Sequence, residues 1–449
     1  MVDEVREIAL KALYKINEEG AYSNIALDKI INDNIKKINQ RDIGFISEIV
    51  YGTVTWRLTI DEIIKKYSKI RIKKISSWIM NILRMSVYQI VFLNKVPKSA
   101  AVNEGVNLAK RYGHRGSVNF VNAVLRKVSK KDYEEFFEIE NQKERLSKTT
   151  SMPMWIIDKL LEENDFALVE KICKNSLIKP KTTIRVNRLK ISKEELEDNL
   201  RELGIEFEQG YLDDFLVIDK IRNIENLPIF KNGSFTVQDE GAGLIPLVLA
   251  PKKGDVVLDA CSSPGGKTTY LAEIMQNVGE IDAWDLHEHR TKLVKNTAKR
   301  LGLTIINTET KDASVYDESL KEKYDKILLD VPCLGLGVLK RKPDIKWERK
   351  EEDIKEISQI QEKILDTCSK YLKPNGELVY STCSILKDEN ENIIEKFLEK
   401  NKNFTYCNIE EKIVEKNKKI KENNKKTGII KFFQDEGNDG FFICKLIKK

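Results

Sequence analysis

The stretch of sequence that decides the fold is residues 256–268, Val-Val-Leu-Asp-Ala-Cys-Ser-Ser-Pro-Gly-Gly-Lys-Thr. Its apolar, β-branched start predicts a buried strand that ends at Asp259, and the run from Thr268 to Met275 is typical of a helix. Glycine lets the backbone between them approach a ligand closely, and the start of the helix offers N–H groups to polar ligand atoms. A strand, a glycine-bearing loop and a helix in this order predict the opening unit of an α/β ligand-binding domain.

Three other interpretations compete for this loop. A nucleoside-triphosphate P-loop needs Gly-x-x-x-x-Gly-Lys-Ser/Thr, and here Gly266-Lys267-Thr268 supplies the end while Cys261 stands at the first glycine. A dinucleotide-binding Gly-x-Gly-x-x-Gly is not present. A purely structural turn rarely carries Pro-Gly-Gly-Lys directly after a buried strand. We therefore favour a loop that binds S-adenosylmethionine, on the grounds given below.

Length and composition limit the class of protein. At 449 residues the chain is long enough for two to four domains with separate cores. The sequence shows no signal peptide and no apolar run long enough to span a bilayer, so we expect a cytoplasmic protein without a membrane partner. Seven cysteines without the spacing of a disulfide framework indicate reduced thiols, and three histidines without a Cys-x-x-Cys pair predict no metal site.

Basic residues are concentrated in residues 57–131, which hold 17 lysines and arginines against three acids, although the net charge of the whole chain is only +6. A concentration of this kind is typical of a surface that binds a polyanion. The alternative is an ordinary solvated face, which suits an isolated Lys-Lys pair better than a whole segment.

Apolar periodicity divides the chain into three predicted domains. Residues 1–130 repeat apolar positions at intervals of three and four, which predicts an all-α domain. Residues 131–231 predict a charged helical connector and a small α/β unit, which would either guide RNA or serve only in packing. Residues 232–449 alternate strands with helices, which predicts an α/β domain on a parallel sheet.

Within this last domain the predicted strands are residues 256–259, 279–285, 305–310, 326–330 and 377–381. The end of the chain, from Gly440 to Ile447, predicts an antiparallel edge strand that pairs with a strand near Phe432. The Lys/Asn-rich insert 416–428 predicts a flexible surface loop with no chemical role.

Polar residues follow the predicted strands where ligands bind in doubly wound sheets, beyond the carboxyl ends. Asp285 would take the hydroxyls of a ribose, and Asp312 or a neighbouring amide would receive an adenine amino group. Asp330 closes the next strand, and Cys383 follows the last one. Each acid taken alone is equally well explained as a helix N-cap, but polar groups at four successive strand ends weaken that explanation.

The two strand-end cysteines, Cys333 and Cys383, suit methylation of a cytosine at C5. That carbon becomes nucleophilic only after a thiolate has attacked C6, and an acid must hydrogen-bond the ring as charge develops. Asp330 closes the strand that precedes Cys333 and would lie beside both cysteines if the two strand ends are adjacent, and Lys267 would supply positive potential that favours a thiolate. This reasoning does not decide which cysteine is the nucleophile. We interpret Cys261 as loop lining, and the remaining cysteines as inert core residues: Cys173, Cys368, Cys407 and Cys444.

Two resemblances to known families support this interpretation. Arg6-Glu-Ile-Ala-Leu-Lys-Ala-Leu and Val118-Asn-Phe-Val-Asn-Ala-Val-Leu-Arg resemble the RNA-binding domain of the NusB family. Asp259-Ala-Cys-Ser-Ser-Pro-Gly-Gly-Lys-Thr, Asp330-Val-Pro-Cys and Tyr380-Ser-Thr-Cys-Ser resemble the RNA cytosine-C5 methyltransferases. Together with Gln238-Asp-Glu-Gly-Ala and Arg341-Lys-Pro-Asp-Ile-Lys-Trp, they make the whole chain similar to the RsmB/Fmu/Sun family, which methylates 16S ribosomal RNA.

The resemblance implies a Rossmann-like class I methyltransferase domain that uses S-adenosylmethionine. It implies that Cys383 is the nucleophile, that Cys333 helps to release the product, and that Asp330 and Lys267 complete the catalytic set. The expected cofactor-binding residues are Cys261, Ser262, Ser263, Pro264, Gly265, Gly266, Lys267, Asp285, Arg290, Asp312 and Asp330. Ser263 departs from the alanine usual in the family, and Leu334 departs from the small residue common there.

We therefore expect a monomeric enzyme that methylates C5 of one cytosine in 16S ribosomal RNA, acting on the unassembled or partly assembled small subunit. One alternative is a tRNA cytosine-C5 methyltransferase, because the catalytic motifs do not specify the RNA. The other is a catalytically silent NusB-like RNA-binding protein, which the intact pair of cysteines disfavours.

Overall fold

The computed structural model describes residues 3–218, 224–410, 413, 428–435 and 437–449. The chain forms two compact units. The first consists of Met1–Ile178 together with Leu339–Glu351, and the second consists of Lys179–Val338 together with Glu352–Lys449. The predicted domain boundaries near residues 130 and 231 stay predictions. Of the described helices, none combines the length and the apolar character needed to cross a membrane.

The first unit is helical, as its apolar periodicity predicts. Its amphipathic helices bury their apolar faces in one core that includes Leu10, Leu13, Ile46, Ile60 and Ile82. No strand occurs between residues 3 and 178. The helices are α1 (Glu4–Glu19), α2 (Ser23–Asn34), α3 (Gln40–Thr55), α4 (Arg57–Tyr67), α5 (Ser77–Phe92), α6 (Lys98–Tyr112), α7 (Arg115–Lys127), α8 (Lys131–Glu134), α9 (Gln142–Thr150), α10 (Met154–Leu161) and α11 (Phe166–Asn175).

Most of the basic residues in segment 57–131 lie on the surface of this unit. Fifteen of the 17 are exposed. Arg84 is an exception, because it is buried and donates two hydrogen bonds of 2.7 Å to the carboxylate of Asp61. Arg57 is the second exception and is partly buried. The charge predicted from the sequence is therefore largely available to a partner, although two of its members are not fully exposed.

The second unit begins with a small antiparallel sheet. Its elements are β1 (Thr182–Val186), α12 (Lys193–Glu202), β2 (Phe207–Gln209), β3 (Phe215–Ile218), α13 (Pro228–Lys231), β4 (Phe235–Val237) and α14 (Glu240–Leu249). The strand order is β2-β3-β1-β4. A capping box between Ser192 and Glu195 fixes the start of α12. The periodicity of the sequence predicts β1, α12 and β3, but the three-residue strands β2 and β4 are too short to show a pattern.

The large sheet carries the site. Its elements are β5 (Val256–Asp259), α15 (Gly266–Ile274), β6 (Glu280–Asp285), α16 (Glu288–Leu301), β7 (Ile306–Thr310), β8 (Tyr324–Asp330), α17 (Ile345–Glu348, which belongs to the first unit), α18 (Asp353–Cys368), β9 (Leu372–Thr382), α19 (Glu391–Lys400), β10 (Phe404–Tyr406), β11 (Ile429–Phe432) and β12 (Phe441–Lys448). All five strands predicted for this domain occur, and β8 and β9 begin earlier than predicted.

The strand order of the large sheet is β10-β12-β9-β8-β5-β6-β7, and β11 pairs with β12. Strands β5 to β9 are parallel, whereas β12 is antiparallel to β9 and to β11, as the sequence predicts. The prediction of an edge strand is wrong, because β12 lies between β9 and β10, and the short strand β10 forms that edge of the sheet. Leu328 packs into one hydrophobic cluster while its neighbours Ile327 and Leu329 pack into another, so both faces of the sheet are covered. The predicted loop 416–428 lies outside the described residues, except for Gly428.

The strand order reverses at β5, which lies between β6 and β8. In open α/β sheets, the loops that leave the strands at this point diverge to opposite faces and open a crevice at the carboxyl ends. The glycine loop after β5 therefore lies where such a sheet binds ligands.

A buried arginine joins the small sheet to this loop. Arg185 of β1 is fully buried and donates a hydrogen bond of 2.7 Å to Glu273 of α15. It also donates to the carbonyl oxygen of Gly266 at 2.9 Å and lies 4.3 Å from the ring centre of Tyr270. The small sheet is thus fastened along the helix that follows the glycine loop, from Gly266 at its start to Glu273 near its end.

The first prediction concerns this ion pair. Arg185→Met should lower the free energy of unfolding by about 3 kcal/mol, because Glu273 would be left charged and buried without its partner. Urea denaturation followed by circular dichroism measures the loss. The double variant Arg185→Met/Glu273→Leu is the matched control and should recover much of it, because an apolar pair leaves no buried charge. A single variant with an unchanged unfolding transition would contradict the assignment.

Candidate active site

The glycine loop between β5 and α15 borders a cavity of about 180 Å³. Gly265 has a φ of +103°, a conformation that favours glycine, and a Cβ atom there would lie 3.1 Å from the Cα of Val294. Ser262 anchors the other side of the loop, because its N–H and its hydroxyl both donate to the carbonyl oxygen of Trp284. The cavity is lined by Val237, Gln238, Ala242, Asp259, Cys261, Ser262, Ser263, Pro264, Gly266, Lys267 and Asp330.

Asp259, at the end of β5, connects this strand to the residues that follow the glycine loop. It is buried, and it accepts a hydrogen bond of 2.7 Å from the hydroxyl of Thr268. Burial raises the pKa of Asp259 to about 7. This acid therefore sits close to its titration point near neutral pH, and it ties the strand to the first turn of α15.

Lys267 and Asp330 form an ion pair at the carboxyl ends of β5 and β8. The Nζ of Lys267 lies 2.6 Å from one oxygen of Asp330, and the hydroxyl of Ser381 donates to the other oxygen at 2.8 Å. Burial opposes the charge of Lys267, but Asp330 outweighs burial, and Cys383 and Asp259 add to its effect, so the pKa of Lys267 is raised. Asp330 is thus held in place by one cation and one hydroxyl.

The two predicted active-site cysteines are in contact. Their sulfur atoms are 3.1 Å apart, although the residues are 50 positions apart in the chain, and both side chains are partly exposed. Cys333 follows β8, and Cys383 follows β9, its parallel neighbour. The contact with Cys383, together with burial, raises the pKa of the Cys333 thiol well above its ordinary value.

A buried carboxylate fixes the loop that carries Cys333. Glu389 accepts hydrogen bonds from the N–H of Leu334 at 2.8 Å and from the side-chain amide of Gln361 at 3.1 Å. The same amide of Gln361 donates to the carbonyl oxygen of Pro332 at 2.8 Å. Glu389 also accepts from the hydroxyl of Ser384, next to Cys383. One acid therefore links the loops of both cysteines.

The two remaining predicted acids lie at the ends of β6 and β7. Asp285 is buried, accepts from the N–H of His287 at 3.2 Å, and lies 3.4 Å from the Nε of Arg290. Asp312 is exposed and caps its own turn by accepting from the N–H of Ser314 at 2.8 Å. Both occupy the edge of the sheet where the sequence places them, and their roles toward a cofactor stay predictions.

Apart from Gly265, the cavity lining includes the predicted residues of the glycine loop and Asp330, but not Asp285, Arg290 or Asp312. One correction applies among the cysteines. Cys173, Cys368 and Cys444 are buried, as predicted for inert core residues, but Cys407 is partly exposed, because it follows the short strand β10 near the sheet edge. Cys261 lines the cavity, and burial raises the pKa of its thiol well above the ordinary value.

Sequence reasoning did not single out four residues that hold the site: Arg185, Gln361, Ser381 and Glu389. Only Ser381 carried a signal, because it lies in the quoted Tyr-Ser-Thr-Cys-Ser motif.

Comparisons with known proteins agree with this architecture. A NusB family model matches residues 3–130, and a model for the ferredoxin-like domain of RsmF/B-like methyltransferases matches residues 152–225. The model for the 16S rRNA methyltransferase RsmB/F matches residues 246–447.

Full-length relatives and solved structures are also similar. The probable ribosomal RNA small subunit methyltransferase B of Bacillus subtilis (strain 168) is 39% identical over 447 residues, which cover 99% of each chain. The crystal structure of PH0851 is 26% identical, covers 100% of both chains and has a TM-score of 0.83. A methyltransferase homologue from Pyrococcus horikoshii is 27% identical with a TM-score of 0.58, and the match covers 69% of this chain and 100% of that one.

The three matched domains follow the order seen in the structure, which is an all-helical NusB-like domain, a small middle sheet and a Rossmann-like domain with a mixed sheet. On the strength of these matches and of a relative 39% identical over nearly its whole length, the chain belongs to the RsmB/F family of 16S rRNA methyltransferases.

Proposed function

We propose that the protein transfers a methyl group from S-adenosylmethionine to C5 of a cytosine in 16S ribosomal RNA, through a covalent bond between a cysteine and C6. The contact of 3.1 Å between the sulfur atoms of Cys333 and Cys383, beside Asp330 and the glycine loop, is the observation that carries the proposal. Two thiols at neighbouring strand ends suit a reaction in which one sulfur bonds to the ring and a second assists its departure.

The residues of the cavity suit the methyl donor. The side-chain amide nitrogen of Gln238 is buried in the cavity wall and has no hydrogen-bond partner among the described residues, so a polar ligand would satisfy it. Gly265 and Gly266 let the backbone approach the ligand, and we assign the ribose hydroxyls to Asp285 because it lies at the end of β6, next to the strand of the glycine loop. When bound there, S-adenosylmethionine supplies the methyl group as part of a sulfonium cation.

The chemistry at the base falls to Cys383, Asp330 and Cys333, and two further side chains, Lys267 and Ser381, orient Asp330. Cys383 loses its thiol proton, and its sulfur bonds to C6, so that the electrons of the C5–C6 double bond make C5 nucleophilic. Asp330, oriented by Lys267 and Ser381, takes up the thiol proton and in this form donates a hydrogen bond to N3 as charge develops there, while its other oxygen accepts from the amino group. After C5 has been methylated, a base removes its proton, the electrons of that C–H bond re-form the C5–C6 double bond, and the bond between sulfur and C6 breaks to return the thiolate. Cys333 assists this last step.

The electrostatics of the site support Cys383 as the nucleophile. Lys267 keeps its ammonium at the site, and Cys383 is among the groups that raise the pKa of Lys267; a nearby cation favours the thiolate form of a cysteine. Cys333 instead has neighbouring carboxylates, Asp330 and Glu389, and they add to the rise in its pKa. A cysteine nucleophile reacts as the thiolate, so we assign Cys383 as the nucleophile and Cys333 to product release.

Ribosomal RNA is the proposed substrate because the relatives in this family carry that substrate in their names and because the helical unit exposes a basic surface. A base can reach a thiolate only after leaving its stack, which costs a few kcal/mol in a duplex. A cytosine in a loop or junction of the unassembled or partly assembled small subunit is therefore favoured over a paired one.

The second prediction tests the nucleophile. Cys383→Ala should lower methyl transfer to ribosomal RNA by at least about a thousandfold, because no thiolate remains to activate C5. Transfer of labelled methyl groups to RNA measures the rate, and calorimetry should show that S-adenosylmethionine still binds. Cys407→Ala removes another partly exposed thiol and should keep normal activity. Near-normal transfer by Cys383→Ala would overturn the assignment.

The third prediction tests product release. Cys333→Ala should accumulate a covalent complex between protein and RNA, because the bond to C6 forms but breaks slowly. Denaturing electrophoresis would show this complex as a band of reduced mobility. The double variant Cys333→Ala/Cys383→Ala should show no such band. Normal turnover by Cys333→Ala without any covalent complex would rule out the release role.

The fourth prediction concerns the basic surface. Replacing Lys69, Lys73 and Lys74 with glutamine should make the slope of log Kd against log salt concentration shallower by about 2, since each phosphate contact contributes roughly 0.7 to 0.9. All three lysines are exposed. The matched control replaces three exposed lysines of α16, namely Lys292, Lys295 and Lys299. Equal slopes for the first triple variant and the wild type would show that RNA binds elsewhere.

A further inference from the structure

The first unit contains an open cleft of about 350 Å³ that lies apart from the cysteines. One wall is the start of α4, and another is the start of α10. The segment 339–351 completes it, because α17 packs into the helical unit. The lining residues are Arg57, Leu58, Asp61, Glu62, Pro153, Trp155, Lys346, Trp347 and Arg349. None of them takes part in the proposed chemistry.

Two partly exposed indole rings line this cleft, Trp155 and Trp347. Trp347 is held rigidly, because its Nε1 donates a hydrogen bond of 2.7 Å to the carbonyl oxygen of Val54. The neighbouring Lys346 is buried and donates to the carbonyl oxygens of Thr55 and Ser151 at 2.9 and 3.0 Å. The aromatic wall is therefore preorganised for a flat ligand.

The charge of the cleft is positive, because its acids are already paired with cations outside it. Asp61 is bound by both nitrogens of the Arg84 fork, and Glu62 lies 3.5 Å from Lys65 and 3.4 Å from Lys148. Arg57 donates to the amide oxygen of Asn17 at 3.3 Å and lies 5.7 Å from the ring centre of Trp347. None of its described hydrogen bonds goes to a carboxylate. Arg57 therefore presents its guanidinium group beside an aromatic ring, and Arg349 lines the same cleft.

We propose that this cleft binds one unpaired nucleotide of the RNA substrate, with its base stacked on Trp155 or Trp347 and its phosphate on Arg57 or Arg349. Aromatic rings beside guanidinium groups are the chemistry by which proteins hold single-stranded RNA, because every base offers a face and every nucleotide offers a phosphate. The proposal rests on the function proposed above, since that function makes RNA the ligand. It adds a recognition site, away from the reacting atoms, that would fix how the RNA lies on the helical unit.

The competing occupant is an acidic peptide segment of a ribosomal protein, which would also use the arginines. An acidic peptide has no flat group that would stack on the rings of Trp155 and Trp347, so the two tryptophans favour a nucleotide.

The test uses the full-length protein with protein-free small-subunit ribosomal RNA. Trp155→Ala and Arg349→Gln should each raise the KM for RNA and its Kd about tenfold, as the loss of one stacked base or one phosphate contact implies, with kcat unchanged. Trp155→Phe should restore most of the affinity, because it keeps an aromatic face. Arg41→Gln, at an exposed position of α3 outside the cleft, is the control and should behave as the wild type. Unchanged melting temperatures would show that the variants fold.

Unchanged Kd and KM in both Trp155→Ala and Arg349→Gln would overturn the proposal, and an effect seen only when ribosomal proteins are present would assign the cleft to a peptide instead. The Kd is measured by filter binding and does not depend on methyl transfer. A wild type that binds RNA but transfers no methyl group would therefore count against the proposed function and leave the test of the cleft decisive.

Discussion

The parallel register of β8 against its two neighbours is the constraint on which the site depends. Asp330 lies directly across from Ser381 of β9, and Asp259 of β5 lies across from Leu328. The carboxyl ends of these three strands therefore lie at one edge of the sheet. Lys267 contacts Asp330 there, and the loops that follow β8 and β9 bring the sulfur atoms of Cys333 and Cys383 together. A shift of one residue in this register would turn the side chains of Asp330 and Ser381 to opposite faces of the sheet and separate them.

Buried polar groups hold this edge, and they do so at an energetic cost that packing must offset. Arg185 and Glu273 are both buried and form an ion pair with each other. Arg185 also contacts the carbonyl oxygen of Gly266 and the ring of Tyr270. Glu389 has the corresponding role near the cysteines. It accepts hydrogen bonds from the backbone N–H of Leu334, the side-chain amide of Gln361 and the hydroxyl of Ser384. Such networks of buried polar groups fix the loops, because breaking one of their hydrogen bonds leaves a buried polar atom without a partner in a medium of low polarity.

Local patterns in the sequence predicted the features that are themselves local. The strands of the large sheet, the loop at residues 261–267 and the antiparallel end of the chain all follow from periodicity and turn chemistry. The proximity of Cys333 and Cys383 followed as well, because parallel strands end at the same edge.

Features that arise from distant pairings could not be predicted in the same way. Arg185 and Glu273 are 88 positions apart, and nothing near either of them marks a partner. The burial of Arg84, a member of an otherwise exposed basic segment, follows from Asp61 on a different helix. The partial exposure of Cys407 depends on a strand of only three residues, β10, which periodicity cannot detect.

Residues 339–351 leave the second unit and pack within the first, and this crossing limits where the protein can be cut into separate parts. A truncated chain that started at residue 179 would still contain Ile345 and Lys346, but it would lack Thr55 and Ser151, whose carbonyl oxygens accept from the lysine. The side chains of Ile345 and Lys346, which are buried in the full-length protein, would then be exposed to water. Both residues lie in the segment that follows the loop of Cys333. The polypeptide therefore passes from the second unit into the first and back again, so neither unit can be exchanged by a single cut and splice.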